Sequence, residues 1–121
     1  MALRVLFVED HNDTRHILSQ LLRRFGYNVV TAPDYKTAST MLDEWSFDVL
    51  LSDIGLPDGS GCDLVAEAKH KQPVVGIALT AFGAKEDAER GVASGFDYYF
   101  TKPLDVHKLR TVLSGIAPEG R

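Results

Sequence analysis

A single cysteine, Cys62, stands in a chain of 121 residues, so no internal disulfide can form and no thiolate cluster can hold a structural metal. Tryptophan also occurs once, and no apolar run approaches the roughly 20 residues that a membrane-crossing helix needs. A dense basic segment is missing as well: 13 Lys and Arg are scattered against 17 Asp and Glu, for a net charge of −4. Phosphate backbones are met by clustered Lys and Arg, so this balance argues against direct nucleic-acid binding and points to a protein partner. No charged-then-apolar leader is visible, which makes the cytoplasm the expected compartment. Internal repeats and low-complexity tracts are absent.

What is present is a regular alternation of short apolar, β-branched runs with amphipathic segments, the pattern of βα units on a parallel sheet. A single domain over residues 1–121 is expected, with its core over about 3–116 and residues 117–121 as a frayed tail or linker stump. Such a chain buries roughly two-thirds of the surface its unfolded form exposes. The strand candidates are Leu3–Val8, Asn28–Thr31, Asp48–Ser52, Val74–Leu79 and Tyr98–Phe100. The first, third and fourth are almost wholly apolar, as central parallel strands are, and the weaker second and fifth belong nearer the edges.

Between them run helical stripes: Ile17, Leu18, Leu21, Leu22 and Phe25, closed by Gly26; then Ala38, Met41, Leu42 and Trp45; then Leu64, Val65 and Ala68. Ala84, Ala88 and Val92 mark a thin fourth helix, and Val106, Leu109, Val112, Leu113 and Ile116 a firmer fifth. All of these stripes are read as core, Met41 and Trp45 included.

In a doubly wound α/β sheet, functional groups collect where the carboxyl ends of strands meet loops. Glu9 and Asp10 follow the first strand candidate, Asp53 the third, Thr80 the fourth and Lys102 the fifth. Taken singly, each has an ordinary structural role as a cap, a turn residue or a solvated charge. Jointly they form a phosphoryl-transfer site. Three converging carboxylates repel one another unless a cation sits among them, and an all-oxygen set suits Mg²⁺. With the metal screening like charge, a dianionic phosphoryl group can approach a carboxylate nucleophile. Lys102 adds a positive point charge, and the Thr80 hydroxyl and nearby amides can donate to the transferred oxygens. Attack by aspartate yields an acyl phosphate, a labile bond suited to a transient signal.

On these residues the chain resembles a response-regulator receiver domain of the CheY-like, two-component phosphorelay kind. The resemblance runs from about Leu3 to Ile116 and rests on "LFVEDH" with Glu9 and Asp10, "LLSDIGLPDGSG" with Asp53, "IALTAFG" with Thr80, and "YYFTKP" with Lys102. It implies a flavodoxin-like (βα)₅ fold, a parallel five-stranded sheet in the order 2-1-3-4-5, and phosphorylation of Asp53 from a phosphohistidine. It further implies Mg²⁺ held by Glu9 or Asp10, Asp53 and the backbone carbonyl of Gly55. Ala81 is small enough to leave the phosphoryl group access, and Lys102–Pro103 is the bond that the family often makes cis. Thr80 and Tyr99 correspond to the family's switch pair, which would alter the face made by the fourth helix, fifth strand and fifth helix.

The implied partners are a histidine kinase phosphotransfer domain or a histidine-phosphotransfer protein, docking on the first helix near Thr14, Ile17 and Leu18, with Arg15 a contributing charge. "SDIGLPDGSG" and "GFDYYFTKP" look more like receivers appended to hybrid sensor kinases than like those of transcription factors. Gly55 and Phe82 flank the site at positions that influence acyl-phosphate lifetime. His11, His16, His70 and His107 are read as solvent-facing. Pairing through the switch face, which would make a dimer, is left open.

Three rival readings fit less well. An aspartyl phosphatase of the haloacid dehalogenase kind wants a second carboxylate two residues after the nucleophile, where this chain has Gly55. A flavodoxin-like flavin protein needs a hydroxyl- and glycine-rich phosphate cradle after strand one, where Glu9 and Asp10 would repel it. A phosphorylation-independent interaction module of receiver fold would have no use for the full set of Glu9, Asp10, Asp53, Thr80 and Lys102.

Overall fold

The computed structural model describes residues 2–80 and 95–116. In chain order the elements are β1 (Arg4–Val8), α1 (Asn12–Arg24), β2 (Asn28–Ala32), α2 (Tyr35–Glu44), β3 (Val49–Asp53), β4 (Gly55–Leu56), β5 (Gly59–Ser60), α3 (Gly61–Lys71), β6 (Val75–Thr80), β7 (Tyr98–Thr101) and α4 (Val106–Ser114). Ala81 and Phe82, the fourth predicted helix with Ala84, Ala88 and Val92, and the tail 117–121 lie outside the described residues.

Local chemistry sets the boundaries. Asp34 accepts from the Thr37 amide at 2.8 Å, Ser60 from the Cys62 amide at 3.1 Å, and Asp105 from the amides of His107 and Lys108, so α2, α3 and α4 each begin on a side-chain cap. Helix α1 is capped by Phe25 and followed by Gly26, whose φ of +97° turns the chain so that the Gly26 and Tyr27 amides donate to the carbonyls of Arg23 and Leu22.

Five strands form one sheet in the order β2-β1-β3-β6-β7, every neighbouring pair parallel. The antiparallel ribbon β4–β5 stands apart, so in the count of predicted strands this is the expected 2-1-3-4-5. The two strands read as weak, β2 and β7, are the edges. Strand alternation divides the core in two. Leu6, Val8 and Leu50 pack with Ala38, Leu42, Leu64 and Val65 of α2 and α3 on one face. Val5, Phe7, Leu51 and Ile77 pack with Leu18 and Leu22 of α1 and Leu109 and Leu113 of α4 on the other.

Two residues read as core are exposed. Ile17 is 65% accessible, because the buried stripe of α1 runs through Leu18, Ser19 and Leu22 and Ile17 lies about 100° round the helix from Leu18. Trp45 is 50% accessible: it is the extended C-cap of α2, where the chain has already left the helix and helical spacing no longer orients a side chain. Met41 packs against the core as expected. All four histidines are exposed, and no described helix is long and apolar enough to cross a membrane.

Candidate functional site

Parallel strands deliver their carboxyl ends to one edge of the sheet, and four of the predicted site residues meet there. Glu9, directly after β1, is fully buried, its amide held by the Ala32 carbonyl at 3.0 Å. Asp53 closes β3 at 5% exposure, and Asp10 faces solvent. One carboxylate oxygen from each of the three lies within 4.8 Å of the others. Lys102, following β7, places Nζ 2.7 Å from Glu9 Oε1 and 2.9 Å from Asp53 Oδ1. Its amide donates to the Thr80 carbonyl at 2.7 Å, which fixes the lysine to the end of β6, and the Lys102–Pro103 bond is cis as the resemblance implies.

The charges are unequal. Burial and then the neighbouring Glu9 push the Asp53 carboxyl up to about 8, with Lys102 opposing. Burial also acts to raise Glu9, but hydrogen bonds from Asp53, from Lys102 and from the His11 amide at 3.2 Å outweigh it and bring Glu9 down to about 2. The two carboxyls thus share one proton, resting on Asp53. Burial acts to lower Lys102, and its bonds to Glu9 and Asp53 overcome that and raise it.

The segment after Asp53 is tightly built. Ser52 Oγ donates to the Asp53 carbonyl at 2.8 Å, and the Gly61 amide to the Ile54 carbonyl at 2.7 Å. A side chain at Gly61 would collide with the Asp53 carbonyl oxygen. Asp58 accepts from the Tyr35 and Lys36 amides at 2.7 and 3.1 Å, pinning the segment to the start of α2, and Gly59 lies against the Tyr35 ring. Gly55 is exposed on the β4–β5 ribbon. Nothing in the sequence pattern singles out Asp58 for this role.

Thr80 is buried at the end of β6, and Tyr99, paired with Ala78 on the neighbouring strand, packs half-buried against the core with its hydroxyl enclosed. Ala81 lies outside the described residues. Of the three α1 residues expected to meet a partner, Thr14 and Ile17 are exposed, whereas Leu18 is buried and serves the core under α1. Arg15 is committed locally, its guanidinium donating to the Glu9 carbonyl at 2.8 Å and to Asn12 Oδ1 at 2.6 Å.

The donor set fits a hard divalent cation. It is all oxygen, and the buried Asp53 Oδ1, 2.9 Å from the Lys102 ammonium and close to the Glu9 and Asp10 carboxylates, has no well-aligned hydrogen bond.

Comparison with known proteins agrees with this geometry. Residues 5–114 match the family model for the response regulator receiver domain. The phosphate regulon transcriptional regulatory protein PhoB of Escherichia coli (strain K12) is 35% identical over 98% of this chain and 55% of its own length, so the chain spans about half of that relative. Among solved structures, the receiver domain of sensor histidine kinase PA1611 from Pseudomonas aeruginosa PAO1, with a magnesium ion coordinated in its active site cleft, matches with a TM-score of 0.84 at 27% identity, covering 94% of this chain and 96% of that one. A chain of the Saccharomyces cerevisiae co-crystal of the histidine phosphotransfer protein Ypd1 with the receiver domain of its downstream response regulator Ssk1 matches with a TM-score of 0.85 at 26% identity, over 93% and 87%. With the matching fold and acidic cleft, these findings show that the chain belongs to the response regulator receiver domain family.

Proposed function

We propose that this domain is a phosphoacceptor in a two-component relay, taking a phosphoryl group from a phosphohistidine onto Asp53. The observation that carries the reading is Lys102 Nζ bridging Glu9 and Asp53 at 2.7 and 2.9 Å beside Asp10, on a fold that aims all four residues into one cleft. Glu9, Asp10, Asp53 and the Gly55 carbonyl would hold Mg²⁺. When bound, the ion screens the carboxylates from the incoming phosphate and draws charge off its oxygens.

The chain's own residues do the rest. Asp53 gives up its proton, a carboxylate oxygen forms a bond to phosphorus, and the phosphorus–nitrogen bond to the donor imidazole breaks, leaving an acyl phosphate and a neutral histidine once the imidazole is protonated. Lys102, already at Asp53, pairs with the transferred oxygens. The Thr80 hydroxyl would donate to the phosphoryl group, Ala81 is small enough to leave it access, and Thr80 with Tyr99 would carry the change to the β7–α4 face. The donor is a kinase histidine or a histidine-phosphotransfer protein seated over Thr14 and Ile17, and the relay runs in the cytoplasm. The relatives occur in both settings, a transcriptional regulator and a sensor kinase.

The test is mass spectrometry after incubation with Mg²⁺ and acetyl phosphate or phosphoramidate. One phosphoryl group on the wild type, absent in Asp53→Asn and with EDTA, is expected. If the wild type stays unmodified and beryllofluoride with Mg²⁺ also fails to bind, the domain is a phosphorylation-independent interaction module instead.

A further inference from the structure

At the opposite end of the sheet from the acidic cleft, the charge reverses. Arg4 opens β1, Asn28 opens β2, Arg23 and Arg24 occupy the last turn of α1, and Trp45 caps α2, so all five gather at the amino ends of β1 and β2. Arg4, Arg23, Tyr27, Asn28 and Trp45 line a recess of about 350 Å³, floored by Val29 and Val30. A second recess of about 460 Å³ is lined by Gln20, Arg23 and Arg24. The two meet at Arg23, so the trough runs from the amino ends of β1 and β2 to the last turn of α1.

The trough is ordered. The Arg4 guanidinium lies 6.0 Å from the centre of the Trp45 ring and 5.8 Å from that of Phe47, a cation held over two aromatic faces. Arg23 donates to the Val29 carbonyl at 2.9 Å, which holds its side chain along β2. The Arg4 amide donates to the buried carboxylate of Asp48 at 2.8 Å, Asp43 pairs with Lys71, and the exposed guanidinium groups of Arg23 and Arg24 make no salt bridge among the described residues. Arg23 and Arg24 suit the carboxyl end of α1, where a cation is favoured, yet both stay exposed beside a half-exposed tryptophan on a chain of net charge −4, and the phosphoryl site uses none of the three.

We propose that this trough is a second protein-docking surface, separate from the phosphoryl cleft, that takes an acidic segment of a partner protein. Carboxylates would pair with Arg23, Arg24 and Arg4, and one apolar side chain would cover Trp45. The arginines stand on two elements and line an open trough, the arrangement for charges strung along a chain; a compact phosphate would need them converging on one point. The surface is independent of Asp53 chemistry and stands or falls apart from it.

Trp45 is the only tryptophan, so intrinsic fluorescence reports on the trough directly. The probe is a blocked heptapeptide of glutamates around a central leucine, with a lysine-for-glutamate version as control, titrated into the whole domain. A saturable change in Trp45 emission is expected with the acidic peptide alone, weakened several-fold by raising NaCl and at least tenfold in Arg24→Glu. Arg24 has no bond to the fold among the described side chains, so that variant should remain folded; Arg23→Glu is the second test. Absence of a saturable change up to millimolar peptide overturns the proposal, as does an equal response to the lysine peptide or to Arg24→Glu. Tighter binding of a free nucleotide, or concentration-dependent self-association that Arg24→Glu abolishes, would assign the trough to another occupant and also overturn it.

Discussion

Lys102 and Glu9, 93 residues apart, meet at 2.7 Å with Glu9 fully buried, and this pair decides where the site keeps its proton. Burial acts to raise Glu9, but hydrogen bonds from Asp53, from the ammonium and from the His11 amide outweigh it and keep Glu9 ionised, while burial and Glu9 hold the proton on Asp53. The metal-free cleft is therefore close to neutral at its buried centre, with Asp10 as the exposed extra charge.

Removing the ammonium should unbalance that arrangement. In Lys102→Met, Glu9 loses its partner while still buried, at about 1–3 kcal/mol of stability, below the range for fully buried pairs because Lys102 is 30% exposed. Urea unfolding in EDTA measures the loss. The same variant should bind Mg²⁺ several-fold more tightly by calorimetry, since a competing cation is gone, while failing to incorporate phosphate. Unchanged Mg²⁺ affinity would mean that the lysine does not compete for these oxygens.

The pH dependence follows from the shared proton. Asp53 is raised from 3.8 to about 8, so the folded state keeps a proton that the unfolded state releases, and metal-free stability falls as pH rises from about 4 towards 8. Glu9 is lowered from 4.5 to about 2, so its contribution is complete above about 4.5 and is lost as pH falls towards 2. The site's contribution should peak near pH 4 in EDTA. Asp53→Asn, which mimics the protonated acid, should flatten the fall between pH 5 and 8. For the wild type, Mg²⁺ binding at pH 7 should release close to one proton, read by calorimetry in buffers of different ionisation enthalpy; no release would place the proton elsewhere.

Five strands were legible because buried parallel strands are apolar on both faces, and β1, β3 and β6 differ from their expected bounds by a residue or two. The acidic site was legible because Glu9, Asp10, Asp53 and Lys102 all lie at strand carboxyl ends. The strand order came with the family resemblance; periodicity alone does not contain it. Trp45 was misread because spacing extends a helix past its true cap, and Ile17 because a two-sided stripe does not say which flank faces water. Asp58 was invisible for a different reason: its amide partners, Tyr35 and Lys36, precede it by 23 and 22 residues, and contacts between loops leave no local pattern.

That contact is itself testable. Asp58→Ala removes acceptors for two helix-start amides, and a loss of about 0.5–2 kcal/mol is expected by urea unfolding. Asp58→Asn, which keeps one carbonyl oxygen, should lose less. Hydrogen exchange should quicken at Tyr35 and Lys36 and in Ile54–Gly61 while β1 and β6 stay protected. Uniform quickening throughout would show that Asp58 supports global stability alone, with no local hold on the segment after Asp53.

Three glycines, two beside the site and Gly26 at the far end of the sheet, separate space from backbone conformation as the constraint. At Gly61 an added methyl would strike the Asp53 carbonyl oxygen, so Gly61→Ala must shift either α3 or the backbone of Asp53. The expected cost is roughly 1–3 kcal/mol, with phosphate incorporation reduced even in the folded fraction. At Gly55 nothing lies within 4 Å of the added atom, and Gly55→Ala should stay within about 0.5 kcal/mol of wild type. Gly26 also has open space but holds φ at +97°, so Gly26→Ala should cost about 1 kcal/mol with phosphorylation intact. Thermal melts beside acetyl phosphate labelling rank the three. If Gly61→Ala were labelled as fully as Gly26→Ala, the close approach of α3 to Asp53 would be a matter of packing alone and would not set the nucleophile's position.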